Sequence, residues 1–301
     1  MRSLSIFCLL VLVSCSTSKS GKNSEVANAP ENVSKASFNK EKALSSNQVN
    51  DYYSEETKSL NPALLDETLD RASNSELGEI KNSKDPLIEI VISCKQKDYK
   101  HAFAVADKSF NKYQKIPAYW NLVANCHLLN HANRKALLFY NKALEVSPHY
   151  VPALNNIGVL YSRQGEDQKA LVAFEKANKQ SRFSKTPRYN LAKTYLRYGL
   201  AELALPLFQG LLNSSSNDID LLNAVANSYF MTGDYQKAQA YFSRIPSSQM
   251  SKAEFGLNYA STLKKLGQLN DAQKIYSNID KPNSRSMKRY YSTIGNELGA
   301  Q

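Results

Sequence analysis

Apolar and small residues recur along this chain at a fixed step of 34. Starting at Trp120, that step reads Leu154, Arg188, Leu222 and Gly256, and four places further on it reads Ala124, Gly158, Ala192, Ala226 and Ala260 without an insertion. Val123, Ile157, Leu191, Val225 and Tyr259 supply bulk beside the small column, and His127, Tyr161, Tyr195, Tyr229 and Leu263 follow one turn later. Spacings of three and four place all of these on one face of a helix. A second helix is marked by Ala136, Ala170, Ala204, Ala238 and Ala272, with Tyr140, Phe174, Phe208, Phe242 and Tyr276 one turn on. Between the two stand Gly165, Gly199, Gly233 and Gly267, with His131 in the matching place of the first unit, where a left-handed residue would end a helix. Pro148, Pro246 and Pro282 discourage continuation near unit ends. A helix-turn-helix unit of this length hides its apolar face only by stacking on its neighbours, so the pattern predicts an all-α helical solenoid.

The small, aromatic, glycine and alanine columns resemble the tetratricopeptide repeat family. The resemblance covers about 118–282 as five units. One more step back aligns Asp98-Tyr99 with the unit pattern and predicts a degenerate N-terminal unit over 84–116, with Lys97 where glycine would stand. Met287, Tyr290, Tyr291, Ile294 and Leu298 recur at helical spacing and predict a capping helix over 285–298. A coiled coil would need a 3.5-residue period without regular glycines and is set aside.

The first residues carry an address. Met1-Arg2-Ser3 is followed by a short apolar run, Leu4 to Val13, and by Leu12-Val13-Ser14-Cys15. The run is too short to span a bilayer, which takes about 20 residues, and suits a signal peptide over 1–14. The last four residues resemble the bacterial lipoprotein box, which implies cleavage before Cys15 and acylation of its thiol. Ser16 after the cysteine resembles outer-membrane sorting in Gram-negative lipoproteins, which implies a periplasm-facing anchor. From Cys15 to residue 82 the chain is rich in Ser, Asn, Lys and Glu, which predicts a disordered tether. Asn61-Pro62 followed by Asp66 and Glu67 predicts a short helix over about 62–72 within it. The expected organisation is therefore signal, lipidated tether, and a solenoid over 83–301.

Charge is unevenly placed. Residues 16–82 hold 8 Lys+Arg against 11 Asp+Glu, whereas 83–301 hold 29 against 16, a balance of +13. No Arg/aromatic recognition module accompanies this excess, and an exported chain would rarely meet nucleic acid, so acidic protein surfaces, wall polymers or lipid head groups are the expected partners. On the first helices, Asn121, Asn125, Asn155, Asn156, Asn190, Asn223, Asn227 and Asn258 fall away from the predicted apolar stripe. This predicts rows of exposed amides on the concave face, each offering a donor and an acceptor to an extended peptide. Within the family such asparagines resemble a backbone-reading ladder, with Lys193 in the groove and Arg163, Arg197 and Lys265 flanking it. The carboxylate-clamp variety needs Lys and Arg where Asn121, Thr186 and Asn190 stand, so that variety is not expected.

Chemistry-bearing motifs are sparse. His127 and His131 have a spacing that can serve a metal, but one sits in a packing column and the other at a turn, so no metal or cofactor is expected. Neither a phosphate loop nor a nucleophile elbow is present, and no small-molecule substrate is implied. Cys94 and Cys126 remain after the signal and the lipidated cysteine. Export permits a bridge between them, while Cys126 in a small-residue column reads as packing. The expectation is a non-enzymatic, lipid-anchored scaffold that binds protein or peptide partners in the envelope. It resembles the repeat lipoproteins of pilus and secretin assembly, with a scaffold for peptidoglycan-remodelling enzymes or a passive wall- or lipid-binding spacer as alternatives.

Overall fold

The computed structural model describes residues 85–181 and 184–299. The signal over 1–14, Cys15, the tether to residue 82 and the short helix at 62–72 lie outside the described residues. Within them the helices come in antiparallel pairs: α1 Pro86–Lys95 with α2 Tyr99–Tyr113, α3 Pro117–Leu129 with α4 Asn133–Val146, and α5 Val151–Arg163 with α6 Asp167–Gln180. Three more pairs follow: α7 Lys185–Arg197 with α8 Ala201–Leu212, α9 Ile219–Met231 with α10 Tyr235–Phe242, and α11 Ala253–Lys265 with α12 Leu269–Ser277. Helix α13, Arg285–Leu298, closes the stack. No strand occurs among the described residues, and no described helix is long and apolar enough to cross a membrane.

The two small columns explain the pairing. Ala124, Ala192, Ala226 and Ala260 on first helices, and Ala136, Ala170, Ala204, Ala238 and Ala272 on second helices, are all completely buried. They let backbones approach while the aromatic column fills the space between, with Tyr140, Phe208 and Phe242 fully enclosed. Gly158 is the extreme case: a Cβ there would lie 2.6 Å from the Phe174 ring, so the α6 aromatic rests directly on the α5 backbone.

Each turn between paired helices needs one left-handed residue. Gly165, Gly199, Gly233 and Gly267 supply it with φ between 76° and 84°. The two N-terminal units hold the same turn with Lys97 at φ 64° and His131 at φ 56°, where a Cβ costs about 1–2 kcal/mol. The turn geometry is thus kept where the glycine is lost. Helix starts are secured locally: Asp85, Asp98, Asp218 and Asp234 accept a backbone N–H of the first turn, as does Ser284 at α13.

Both ends of the stack are fastened in their own way. Cys94 of α1 and Cys126 of α3 form a disulfide, with Cα atoms 5.4 Å apart and both residues buried. The small-residue slot of Cys126 is therefore a packing site and a crosslinking site together, because side-by-side first helices bring the two Cα atoms within bridging range. At the other end α13 buries Ile294 and Leu298, and Tyr291 stacks on Tyr276 of α12 at 4.6 Å between ring centroids.

Candidate functional site: the amide column of the first helices

First helices of successive units approach one another, α3 with α5, α5 with α7 and α9 with α11, which brings the predicted asparagines together in two groups. Asn156 donates its Nδ2 to Asn121 Oδ1 at 3.1 Å and to Asn125 Oδ1 at 3.0 Å. Asn155 donates to Asn156 Oδ1 at 3.3 Å and accepts from Asn190 at 2.8 Å. Further along, Asn258 donates to Asn227 Oδ1 at 2.8 Å, and Asn223 donates to the Glu254 carbonyl at 3.5 Å. Two tyrosines extend the chain of bonds: the Tyr140 hydroxyl donates to Asn125 Oδ1 at 2.6 Å, and that of Tyr290 on α13 donates to Asn258 Oδ1 at 2.9 Å. Burial pushes the Tyr290 hydroxyl up to about 12, so it remains a donor across the physiological range.

This geometry corrects the expectation of a uniformly exposed amide face. Asn121, Asn125, Asn155, Asn156 and Asn258 are buried, Asn155 and Asn156 completely. Neighbouring first helices approach closely enough for the amides to reach one another, and a buried amide is stable only when bonded, so the column spends much of its hydrogen-bonding capacity between units. Asn190, Asn223 and Asn227 are half-buried. The sector of the column that stays partly in water is therefore on α7 and α9, and Lys193 of α7 is exposed as well. Asn125 Nδ2 and Asn223 Oδ1 are buried without a partner, a donor on α3 and an acceptor on α9.

The basic flank divides as well. Arg163 and Lys265 are exposed at the ends of α5 and α11. Arg197 differs from the expectation: its guanidinium pairs with Asp167 of the preceding unit and bonds Ser162 Oγ at 3.2 Å, so it serves as a clasp between units. His127 is enclosed between the rings of Phe103 and Phe139, with centroids 4.3 and 5.0 Å away. Burial, with Lys135 nearby, holds its imidazole below the usual histidine range. His131 occupies the left-handed turn. No group of three His, Cys, Asp or Glu residues is arranged for a metal among the described residues.

Sequence reasoning missed the roles of Tyr140 and Tyr290. A signal was present for the first: Tyr140 adds a hydroxyl in a column where Phe174, Phe208 and Phe242 have none. The second depends on how α13 folds back over α11, which no local pattern states.

An array of stacked helix pairs defines a repeat solenoid, the architecture of a protein-interaction scaffold. The tetratricopeptide repeat family matches at residues 139–172, which run from α4 through α5 into α6. Anaphase-promoting complex subunit 3 of Schizosaccharomyces pombe is 27% identical over 128 residues, covering 42% of this chain and 19% of that protein. The chain thus spans only about a fifth of that relative's length. The crystal structure of YrrB, a TPR protein with an unusual peptide-binding site, is similar with a TM-score of 0.52 at 20% identity, over 57% of this chain and 89% of that one. PilW, a widely conserved type IV pilus biogenesis factor, is similar with a TM-score of 0.53 at 18% identity, over 66% of this chain and 94% of that one. This chain carries tetratricopeptide repeats and folds as a tetratricopeptide-repeat solenoid.

Proposed function

We propose that this protein is a lipid-anchored scaffold of the bacterial envelope. It binds protein partners through the inner face of the solenoid and assists assembly of an outer-membrane complex such as a pilus or secretion secretin. The observation that carries the binding role is the half-open sector of Asn190 and Lys193 on α7 and Asn223 and Asn227 on α9, set in a column whose other asparagines are buried. Amides and a cation there can hold the backbone and carboxylates of an extended segment, while the bonded units on either side keep the sector rigid. Binding is the whole mechanism: the anchor raises local concentration, the tether gives reach and the rigid face gives selectivity. No covalent step is required.

The envelope address is supported by Leu12-Val13-Ser14-Cys15 and by the buried Cys94–Cys126 bridge, since such bridges persist in oxidising compartments. The likeness of the fold to PilW supports pilus or secretin assembly over peptidoglycan-enzyme scaffolding. Crosslinking and mass spectrometry on native envelopes test the binding role. Lys193→Glu combined with Asn223→Ala should remove one defined partner while the protein remains folded, and an unchanged set of partners refutes the inner-face reading. Radiolabelled palmitate should label the wild type and leave Cys15→Ser unlabelled; label on both would place acylation elsewhere.

A further inference from the structure

The outer helices of the first three units carry a pattern of their own. At one turn and two turns apart, α2 presents His101, Ala104 and Lys108, α4 presents Lys135, Leu138 and Lys142, and α6 presents Lys169, Val172 and Lys176. All nine residues are exposed, and the step between helices is again 34. Leu138 and Val172 leave 56% and 51% of their surface in water, among the most exposed large apolar side chains described. Each helix therefore offers an apolar crest between two polar positions, and the repeat sets the same crest at the equivalent place of three successive units. Lys142 and Lys169 have ion-pair partners in Glu145 and Glu166, whereas Lys108, Lys135 and Lys176 have none among the described residues.

Charge concentrates at the same end. Residues 95–144 hold nine Lys+Arg against two Asp+Glu, an excess of +7 in 50 residues, while 145–299 hold 19 against 12, the same excess over three times the length. The pattern breaks at the fourth unit, where α8 has Leu203, Pro206 and Gly210. A cationic rim around exposed aliphatic groups is how an amphipathic helix lies in the head-group region of an anionic bilayer. Three such helices at equivalent places in successive units repeat the arrangement along one side of the stack. The chain outside the described residues joins this end of the stack at Asp85.

We propose that the outer face of α2, α4 and α6 is a docking surface for an anionic lipid bilayer, laying the N-terminal half of the solenoid on the membrane and turning the inner face away from it. The proposal rests on the envelope reading only for the presence of a bilayer within reach, and its test needs no acyl group. The chain from Ser16 onward, free of signal and lipid, is mixed with vesicles of phosphatidylglycerol and phosphatidylethanolamine and, separately, of phosphatidylcholine, and retention is measured by flotation. A cation near an anionic leaflet accounts for about fivefold in affinity, so Lys108→Glu, Lys135→Glu and Lys176→Glu together should weaken retention by at least about 100-fold. Leu138→Ser with Val172→Ser should weaken it about tenfold at these exposed positions, with circular dichroism unchanged. Lys193→Glu with Asn223→Ala should leave vesicle retention intact, which separates this face from the inner one. Absence of retention on the anionic vesicles, equal retention on phosphatidylcholine, or full retention of the triple charge variant would overturn the proposal.

Discussion

Replacing Asn156 by alanine tests whether the amide column is a structural seam. Asn156 is completely buried, donates to Asn121 and Asn125 across the boundary between units and accepts from Asn155. In Asn156→Ala, Asn125 Oδ1 keeps the Tyr140 hydroxyl, but Asn121 Oδ1 and Asn155 Nδ2 lose the bonds described here. Two buried polar groups left unsatisfied cost about 1–3 kcal/mol each, so the variant should lose about 2–6 kcal/mol. Asn223→Ala removes one long bond at a half-buried position and should cost under about 1 kcal/mol. Urea unfolding followed by circular dichroism reads both, as a shift in midpoint at constant slope. Adding Asn121→Ala to Asn156→Ala should cost less than the two single changes summed, because the orphaned acceptor leaves with its partner. A loss below about 1 kcal/mol in Asn156→Ala, or strict additivity in the double variant, would refute the seam.

Other outcomes follow from the turn, the bridge and the enclosed histidine. His131→Gly should stabilise the protein by about 0.5–1 kcal/mol in the same unfolding assay, since it relieves a Cβ at φ 56° and gives back part of that gain as unfolded-chain entropy. Cys94→Ser should cost about 3–4 kcal/mol, from the closure of a loop with a sequence separation of 32, and dithiothreitol should lower the wild-type midpoint while leaving the variant unmoved. His127 takes up a proton more readily unfolded than folded, because its folded pKa is lowered. Its contribution is therefore intact above the unfolded value of about 6.5 and is lost as pH falls through that value towards the folded one. His127→Phe should flatten the stability profile between about pH 7 and 5, and an unchanged slope would show that another group titrates there.

The repeat, its two helices and the turn between them were legible in the order of residues, because each rests on short-range rules: a 3.6-residue period, a small residue one turn from a large one, a left-handed site after the last turn. The basic excess and its neighbouring acidic stretch were legible too, being sums over the chain. Lys97 and His131 mark where this reading thinned, since the turn persists without its glycine once the flanking helices are packed on both sides. What the asparagines do could not be read from one helix. Their angular position places them off the apolar stripe of their own unit, and only the approach of the next first helix turns that face into an interface where Asn156 meets Asn121 and Asn125. The same holds for Arg197 clasping Asp167, for Cys94 reaching Cys126, and for Tyr290 capping Asn258. Sequence determines which side chains share a helix face; the distance and angle between stacked helices decide whether that face meets water, a ligand or another amide.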